Sequence, residues 1–78
     1  MTIKVNIIKT ADGYNFRNAE SGKLIGTIHE ARIKQNIYTW ETFGEHGLDR
    51  LAKCINFIKL ELLTRAECLG CDIEFINL

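Results

Sequence analysis

The segment 48-LDRLAKCINFIKLELLTRAECLG-70 decides the fold, because its apolar residues repeat at helical spacing over a long stretch. They recur three and four positions apart over about six turns, which predicts one amphipathic helix. Gly70 stands where a left-handed residue would end such a helix. Asp49 falls in its predicted first turn, where a carboxylate is favoured by the helix dipole. The predicted apolar stripe consists of Leu48, Leu51, Ala52, Ile55, Ile58, Leu62, Leu63, Ala66 and Leu69.

Stretches of alternating polarity flank this helix on both sides. Four of them precede it, separated by turn sequences such as ADG and ESGK, and one follows it. The predicted strands are 2–9, 14–19, 23–34, 37–43 and 71–78, and the sequence GEHG at 44–47 closes the meander. Three successive hairpins predict an α+β fold, in which an antiparallel sheet of four to five strands packs on one long helix in the order β-β-β-β-α-β.

Length and composition indicate one globular domain over residues 1–78. The hydrophobic fraction of 46% and charged fraction of 26% are those of an ordinary folded protein. No apolar run approaches the roughly 18 residues that a membrane-spanning helix needs. The start MTIKVNIIKT alternates like a strand and does not resemble a secretory signal. Three cysteines do not make a disulfide framework, so we expect a reducing, cytoplasmic compartment.

The formal net charge is zero, but the charges are unevenly distributed. Residues 1–40 hold six cations against three anions, and residues 41–78 hold four cations against seven anions. Strong binding to the DNA backbone normally needs a larger positive excess, and a mimic of nucleic acid needs the reverse. The charge balance therefore supports neither class, although it is compatible with a moderately basic sheet beside an acidic helix.

The C-x-x-C pair Cys68 and Cys71 is the motif that points most directly to chemistry. A structural zinc site needs four ligands, whereas the other candidates, Cys54, His29 and His46, are scattered along the chain. A redox pair gains its reactive thiolate at a helix N-terminus, and this pair flanks a predicted C-terminus. The pattern favours small residues that pack a helix-to-strand corner. We expect no metal site and no cofactor.

No arrangement of residues indicates catalysis. His29 on a predicted strand and His46 in a predicted loop have no neighbouring serine or cysteine that could form a nucleophile–base pair. The glycines of SGKLIG lack the spacing of a phosphate-binding loop. We therefore predict no catalytic residues and a protein that is not an enzyme.

One group of helix residues is not needed for the predicted core. On a helical wheel Phe57 and Leu60 fall outside the apolar stripe, close to Lys53, Glu61 and Thr64. They are either scattered surface hydrophobes, which are common, or a contact for a partner protein or for a second copy of the chain. The second interpretation makes these five residues the candidate partner-binding set.

A second group lies on the predicted fourth strand, where Tyr38 and Trp40 share one face. If they pack under the helix, they belong to the core. If they face away from it, they share the open sheet face with Lys4 and Arg17, and this surface could stack on bases or anchor a protein. The sequence leaves both orientations open.

The segment from Asp49 to the C-terminus resembles the last part of a type II-C anti-CRISPR protein. In both, a helix with a polar start leads through a cysteine-bearing turn into a terminal E-F-[VI]-x-L strand, here carried by Glu74, Phe75 and Leu78. The likeness covers about 30 of the 78 residues. The upstream hairpins do not match that family's cysteine-rich start, so neither its target nor its contact residues carry over. The resemblance implies a class, the small phage or mobile-element proteins that bind and inhibit host defence enzymes in the host cytoplasm.

Three hairpin strands followed by a helix are also similar to DNA-binding domains that lay a small sheet into the major groove, such as phage integrase arm-binding domains. Those domains carry more Arg and Lys on the reading face than Lys4, Arg17 and Lys34 supply. The prediction is therefore a non-catalytic module that binds and inhibits a host defence complex, with a homodimer as a further expectation and no membrane association. A nucleic-acid binder that uses the sheet face is the alternative.

Overall fold

A computed structural model describes residues 1–78 and shows one helix packed on a six-stranded mixed sheet, which confirms the predicted α+β class. The sheet order is β5-β4-β3-β2-β1-β6, in which β1 to β5 form an antiparallel meander and β6 pairs in parallel with β1. The elements are β1 (Thr2–Lys9), β2 (Gly13–Asn18), β3 (Leu24–Glu30), β4 (Tyr38–Thr42), β5 (Glu45–Asp49), α1 (Leu51–Leu69) and β6 (Asp72–Asn77).

The predicted strand count and helix start were wrong because of one hairpin. Phe43 and Gly44 both have positive φ, 46° and 80°, as a two-residue type I′ turn requires. The chain therefore folds back at once, and residues 45–49 form β5 instead of a loop and a first helical turn. Leu48, His46 and Asp49 accordingly lie on a strand, so Asp49 is not a first-turn carboxylate.

One further boundary and the direction of one strand also differ from the prediction. β3 ends at Glu30 and not at Lys34, and residues 31–37 form a loop in which Asn36 takes a positive φ of 65°. The sheet is therefore not wholly antiparallel as predicted: the final strand pairs in parallel, because α1 follows the edge strand β5 and returns the chain to the opposite edge, beside β1. A crossover of this kind is what a parallel pair requires.

The predicted helix stop is confirmed. Gly70 takes φ 71° and ψ 27°, the left-handed conformation that glycine adopts without a Cβ penalty. Its N–H donates to the carbonyl of Glu67 at 3.1 Å, and the N–H of Cys71 donates to the carbonyl of Ala66 at 2.9 Å. This is the Schellman arrangement, which satisfies carbonyls that the end of a helix would leave unpaired.

The core lies between one row of the helix and the centre of the sheet. Cys54, Ile58, Leu62 and Ala66, spaced four apart, are the buried residues of α1. Gly26 lies directly under the helix, since a Cβ there would stand 3.1 Å from Ile58 Cγ2. The buried sheet side chains beneath this row are Val5, Ile7, Phe16 and Ile28.

Four residues of the predicted apolar stripe are exposed: Leu48, which lies on β5, and Ala52, Leu63 and Leu69 on α1. At 100° per residue Ala52 and Leu63 point about 100° and 120° away from the middle of the buried row. A single sheet covers only one side of a helix, so residues this far around the wheel stay in solvent. The apolar part of α1 is therefore wider than the core that it packs against.

Candidate protein-binding surface

The side of α1 that faces away from the sheet carries exposed apolar side chains on successive turns. Phe57 is 42%, Leu60 63% and Leu63 45% exposed. Leu60 points about 180° from the middle of the buried row, directly outward. α1 is the one helix of the fold, so no second layer covers this side.

The predicted partner-binding residues come together on this side of the helix. They are neighbours at spacings of three and four, so their side chains form one continuous strip. Lys53, Phe57, Leu60 and Thr64 are exposed and Glu61 is half-buried. The Thr64 hydroxyl donates to the Leu60 carbonyl at 2.9 Å, a bond within the helix that leaves the strip free. We call these five residues the outer helix surface.

Phe57 has a structural contact that the sequence did not indicate. Its ring stacks on the ring of Trp40, with centroids 5.4 Å apart and planes inclined by 23°. Trp40 in turn covers Gly47, where a Cβ would stand 2.8 Å from the indole Nε1. The wheel that placed Phe57 opposite the core was centred on Leu48, which is not helical. Phe57 therefore lies on the flank of α1 and is part core, part surface.

Beside this flank, the turn between β4 and β5 presents an aromatic ring that the sequence analysis missed. Phe43 has a φ of 46°, which is rare for a bulky residue, and its side chain is 51% exposed. The guanidinium carbon of Arg65 lies 4.3 Å from the centre of its ring, and Arg65 Nε donates to Glu61 Oε1 at 3.0 Å. The dipeptide Phe-Gly between two alternating stretches was the available signal. We call Phe43, Glu61 and Arg65 the Phe43 corner.

The open face of the sheet does not have the composition that the nucleic-acid alternative needs. Trp40 is the register partner of Ile28, so Trp40 and Tyr38 lie on the helix side and pack against the core. Lys4 and Arg17 lie on the opposite face, and Arg17 Nη1 already donates to the Gly22 carbonyl at 3.0 Å. The four residues therefore do not share a surface, because strand alternation separates the aromatic pair from the basic pair.

The thiols serve different parts of the fold. Cys54 is fully buried, and its Sγ lies 3.4 Å from the Asp49 carbonyl and 3.6 Å from the Tyr38 carbonyl, where it ties the start of α1 to β5 and β4. Burial raises the pKa of this thiol. Cys71 is half-buried at the helix-to-strand corner, but Cys68 is exposed, so only one of the pair occupies the predicted packing position.

Imidazoles, thiols and carboxylates do not gather into a centre. His46 stands opposite Glu41 and His29 opposite Thr39 on neighbouring strands. No group of three or more His, Cys, Asp or Glu side chains has the geometry to hold a metal ion.

Comparisons with known proteins give no relative for this chain: no protein family, no curated protein and no solved structure matches it. α1 lacks the combination of length and apolar character with which a helix crosses a membrane.

Proposed function

We propose that this protein is a small non-catalytic module that works by binding another protein chain through the outer helix surface. The observation that carries the proposal is the outward line of Phe57, Leu60 and Leu63 on a helix that nothing else in the fold covers. Full burial of one such side chain contributes roughly 1.5–3 kcal/mol. Two or three of them at the centre of an interface are enough to anchor a partner.

The surroundings of this line support the same function. Aromatic residues and arginine are the types enriched at the energetic centres of interfaces, and Phe57, Phe43 and Arg65 lie along one flank of the helix. The scaffold is also pre-organised, because α1 is fixed to the sheet by its buried row and ended by a Schellman turn. A rigid surface loses little side-chain and backbone freedom on binding.

The backbone at Phe43 adds a second argument for a binding role. A bulky residue held at positive φ costs of order 1–3 kcal/mol. Asn or Gly at this position would form the same turn with less strain. The turn instead keeps an aromatic ring at a solvent-exposed corner, stacked under Arg65. Contact with a partner would account for that choice of residue.

The resemblance of residues 49–78 to an anti-CRISPR protein favours one form of this proposal, an inhibitor encoded by a phage or mobile element that acts by direct binding to a host defence complex. Inhibition by binding needs a stable shape and a contact surface, and it needs no catalytic group. A fold of 78 residues with one exposed apolar helix side meets both conditions.

The test is affinity capture of the tagged protein from its own cells after nuclease treatment. Leu60→Glu places a charge at the centre of the outer helix surface, and Ile33→Glu is the matched control, since Ile33 is highly exposed in the loop of residues 31–37. We expect a protein that co-purifies with the wild type and with Ile33→Glu but not with Leu60→Glu. If Leu60→Glu captures as much of the co-purifying protein as the wild type, the proposed surface is refuted. If nuclease treatment removes the co-purifying protein, the nucleic-acid alternative is favoured.

A further inference from the structure

We propose that the outer side of α1 pairs with a second copy of the same helix, antiparallel, about a two-fold axis at Leu60. This inference rests on the proposed function, because it takes the same helix side as a protein-binding surface and adds a second, weakly bound copy of the chain, which a partner protein would displace. The first support is the spacing of the outward residues. Lys53, Asn56, Leu60, Leu63 and Glu67 follow one another at intervals of three and four, the spacing of a helix–helix seam. We call these five residues the seam.

The charges of the seam are complementary to themselves. Lys53 and Glu67 lie seven residues before and after Leu60, so each stands about 10.5 Å from it along the helix axis. In an antiparallel pair centred on Leu60, Lys53 of one copy faces Glu67 of the other, and the two-fold axis repeats the contact. Leu60 meets its own counterpart on the axis. A surface that matches itself in this way is what a symmetric dimer requires.

Neither charge has a partner within the chain. The single intramolecular salt bridge joins Glu61 to Arg65, and both Lys53 and Glu67 are exposed. Because both charges are unpaired in the monomer, Lys53 is free to contact Glu67 of a second copy, and Glu67 is free to contact Lys53 of that copy.

The positions of these charges are also unfavourable for the isolated helix. Lys53 lies in the first turn of α1, next to the positive end of the helix dipole, and Glu67 lies in the last turn, next to the negative end. The first turn holds no acidic residue and the last turn no basic one. Antiparallel pairing reverses this disadvantage, because Lys53 then lies near the C-terminal end of the second helix and Glu67 near its N-terminal end.

The geometry allows two copies to approach. A helix of 19 residues is about 28 Å long, and packing at a shallow angle brings two such helices into contact over much of that length. The sheets then lie on the outside of the pair. The Phe43 corner lies on the flank of α1, beside Arg65, and stays exposed in both copies. With few apolar side chains from each copy, the contact is small, so we expect a dissociation constant in the range of roughly 1–100 μM.

The test is sedimentation equilibrium over protein concentrations from about 1 μM to about 1 mM, a range that brackets the expected affinity. Lys53→Glu and Glu67→Lys each turn two attractions into two repulsions, so either substitution should raise the dissociation constant by about tenfold or more. An equimolar mixture of the two variants restores opposite charges across the seam and should dimerise, as should the double variant Lys53→Glu/Glu67→Lys. Lys4→Glu, on the sheet face that points away from the helix, is the control and should dimerise like the wild type.

A wild-type chain that stays monomeric to about 1 mM overturns the inference. Single variants that associate as tightly as the wild type, or a mixture that stays monomeric, overturn it as well. Failure of this inference is distinct from failure of the proposed function. A monomeric chain that still captures a different protein in a Leu60-dependent way refutes the dimer alone.

Discussion

Replacement of Phe57 by alanine measures how much of this residue is core and how much is surface. A little over half of Phe57 is buried, and its ring stacks on that of Trp40. A fully buried Phe→Ala change costs about 3–5 kcal/mol, so half burial corresponds to about 1.5–2.5 kcal/mol. The higher helix propensity of alanine returns about 0.5 kcal/mol. We therefore expect Phe57→Ala to lower the free energy of unfolding by about 1–2 kcal/mol, with the aromatic stack included.

The assay is urea unfolding followed by circular dichroism and by the fluorescence of Trp40, which is the only tryptophan. Leu60→Ala is the control, because Leu60 is the more exposed neighbour and should cost about 0.5 kcal/mol or less. Phe57→Ala should also shift the Trp40 emission to longer wavelength, which Leu60→Ala should not. Measurement at two concentrations tenfold apart separates folding from association. If Phe57→Ala and Leu60→Ala lower the free energy of unfolding equally and neither changes the Trp40 emission, the aromatic stack contributes nothing to stability.

Four other predictions concern the helix ends, the sheet, the buried thiol and the order in which the cysteines react. Lys53→Glu and Glu67→Lys should each raise monomer stability by about 0.3–1 kcal/mol in thermal unfolding, since each corrects an unfavourable charge in the helix dipole, and a loss of stability would contradict this. Gly13→Ala should abolish or nearly abolish folding, because the new Cβ would lie at the carbonyl oxygen of Ile28, and a native circular dichroism spectrum would exclude that clash. The raised pKa of Cys54 means that the folded state favours the neutral thiol, so stability should fall as the pH rises above about 9, and Cys54→Ala should remove that fall. In the folded chain the two cysteines at the helix end should alkylate before Cys54, which mass spectrometry of the modified peptides would check.

The parts of the fold that follow from local pattern could be predicted from the sequence. The first two strands are set by strict alternation, as in Ile3, Val5 and Ile7, and the helix by its three–four repeat. The helix stop at Gly70 follows from the special conformational freedom of one residue. These features depend on neighbours in the chain, which the sequence displays directly.

The features that were missed depend on contacts between distant residues. β5 is a strand because the Phe43–Gly44 turn brings it alongside β4, and residues 48–49 fit a helical pattern equally well in isolation. The face of Trp40 is fixed by its register with Ile28 on β3. The role of Phe57 follows from that register in turn, since only an inward Trp40 gives it a ring to stack on. One misplaced hairpin thus displaced both the start of the helix and the wheel from which its surface was judged.

The width of the apolar part of α1 links the fold to the proposed function. A two-layer protein of this size covers a helix from one side, and the buried row of Cys54, Ile58, Leu62 and Ala66 satisfies that requirement completely. Leu60 and Leu63 contribute little to the monomer, and exposing them favours non-specific association. Lys53 and Glu67 stand at the two ends of the seam, where they weaken the isolated helix but would direct the proposed pairing. Apolar residues at the centre and misplaced charges at the ends are each unfavourable in a monomer, and antiparallel pairing offsets both.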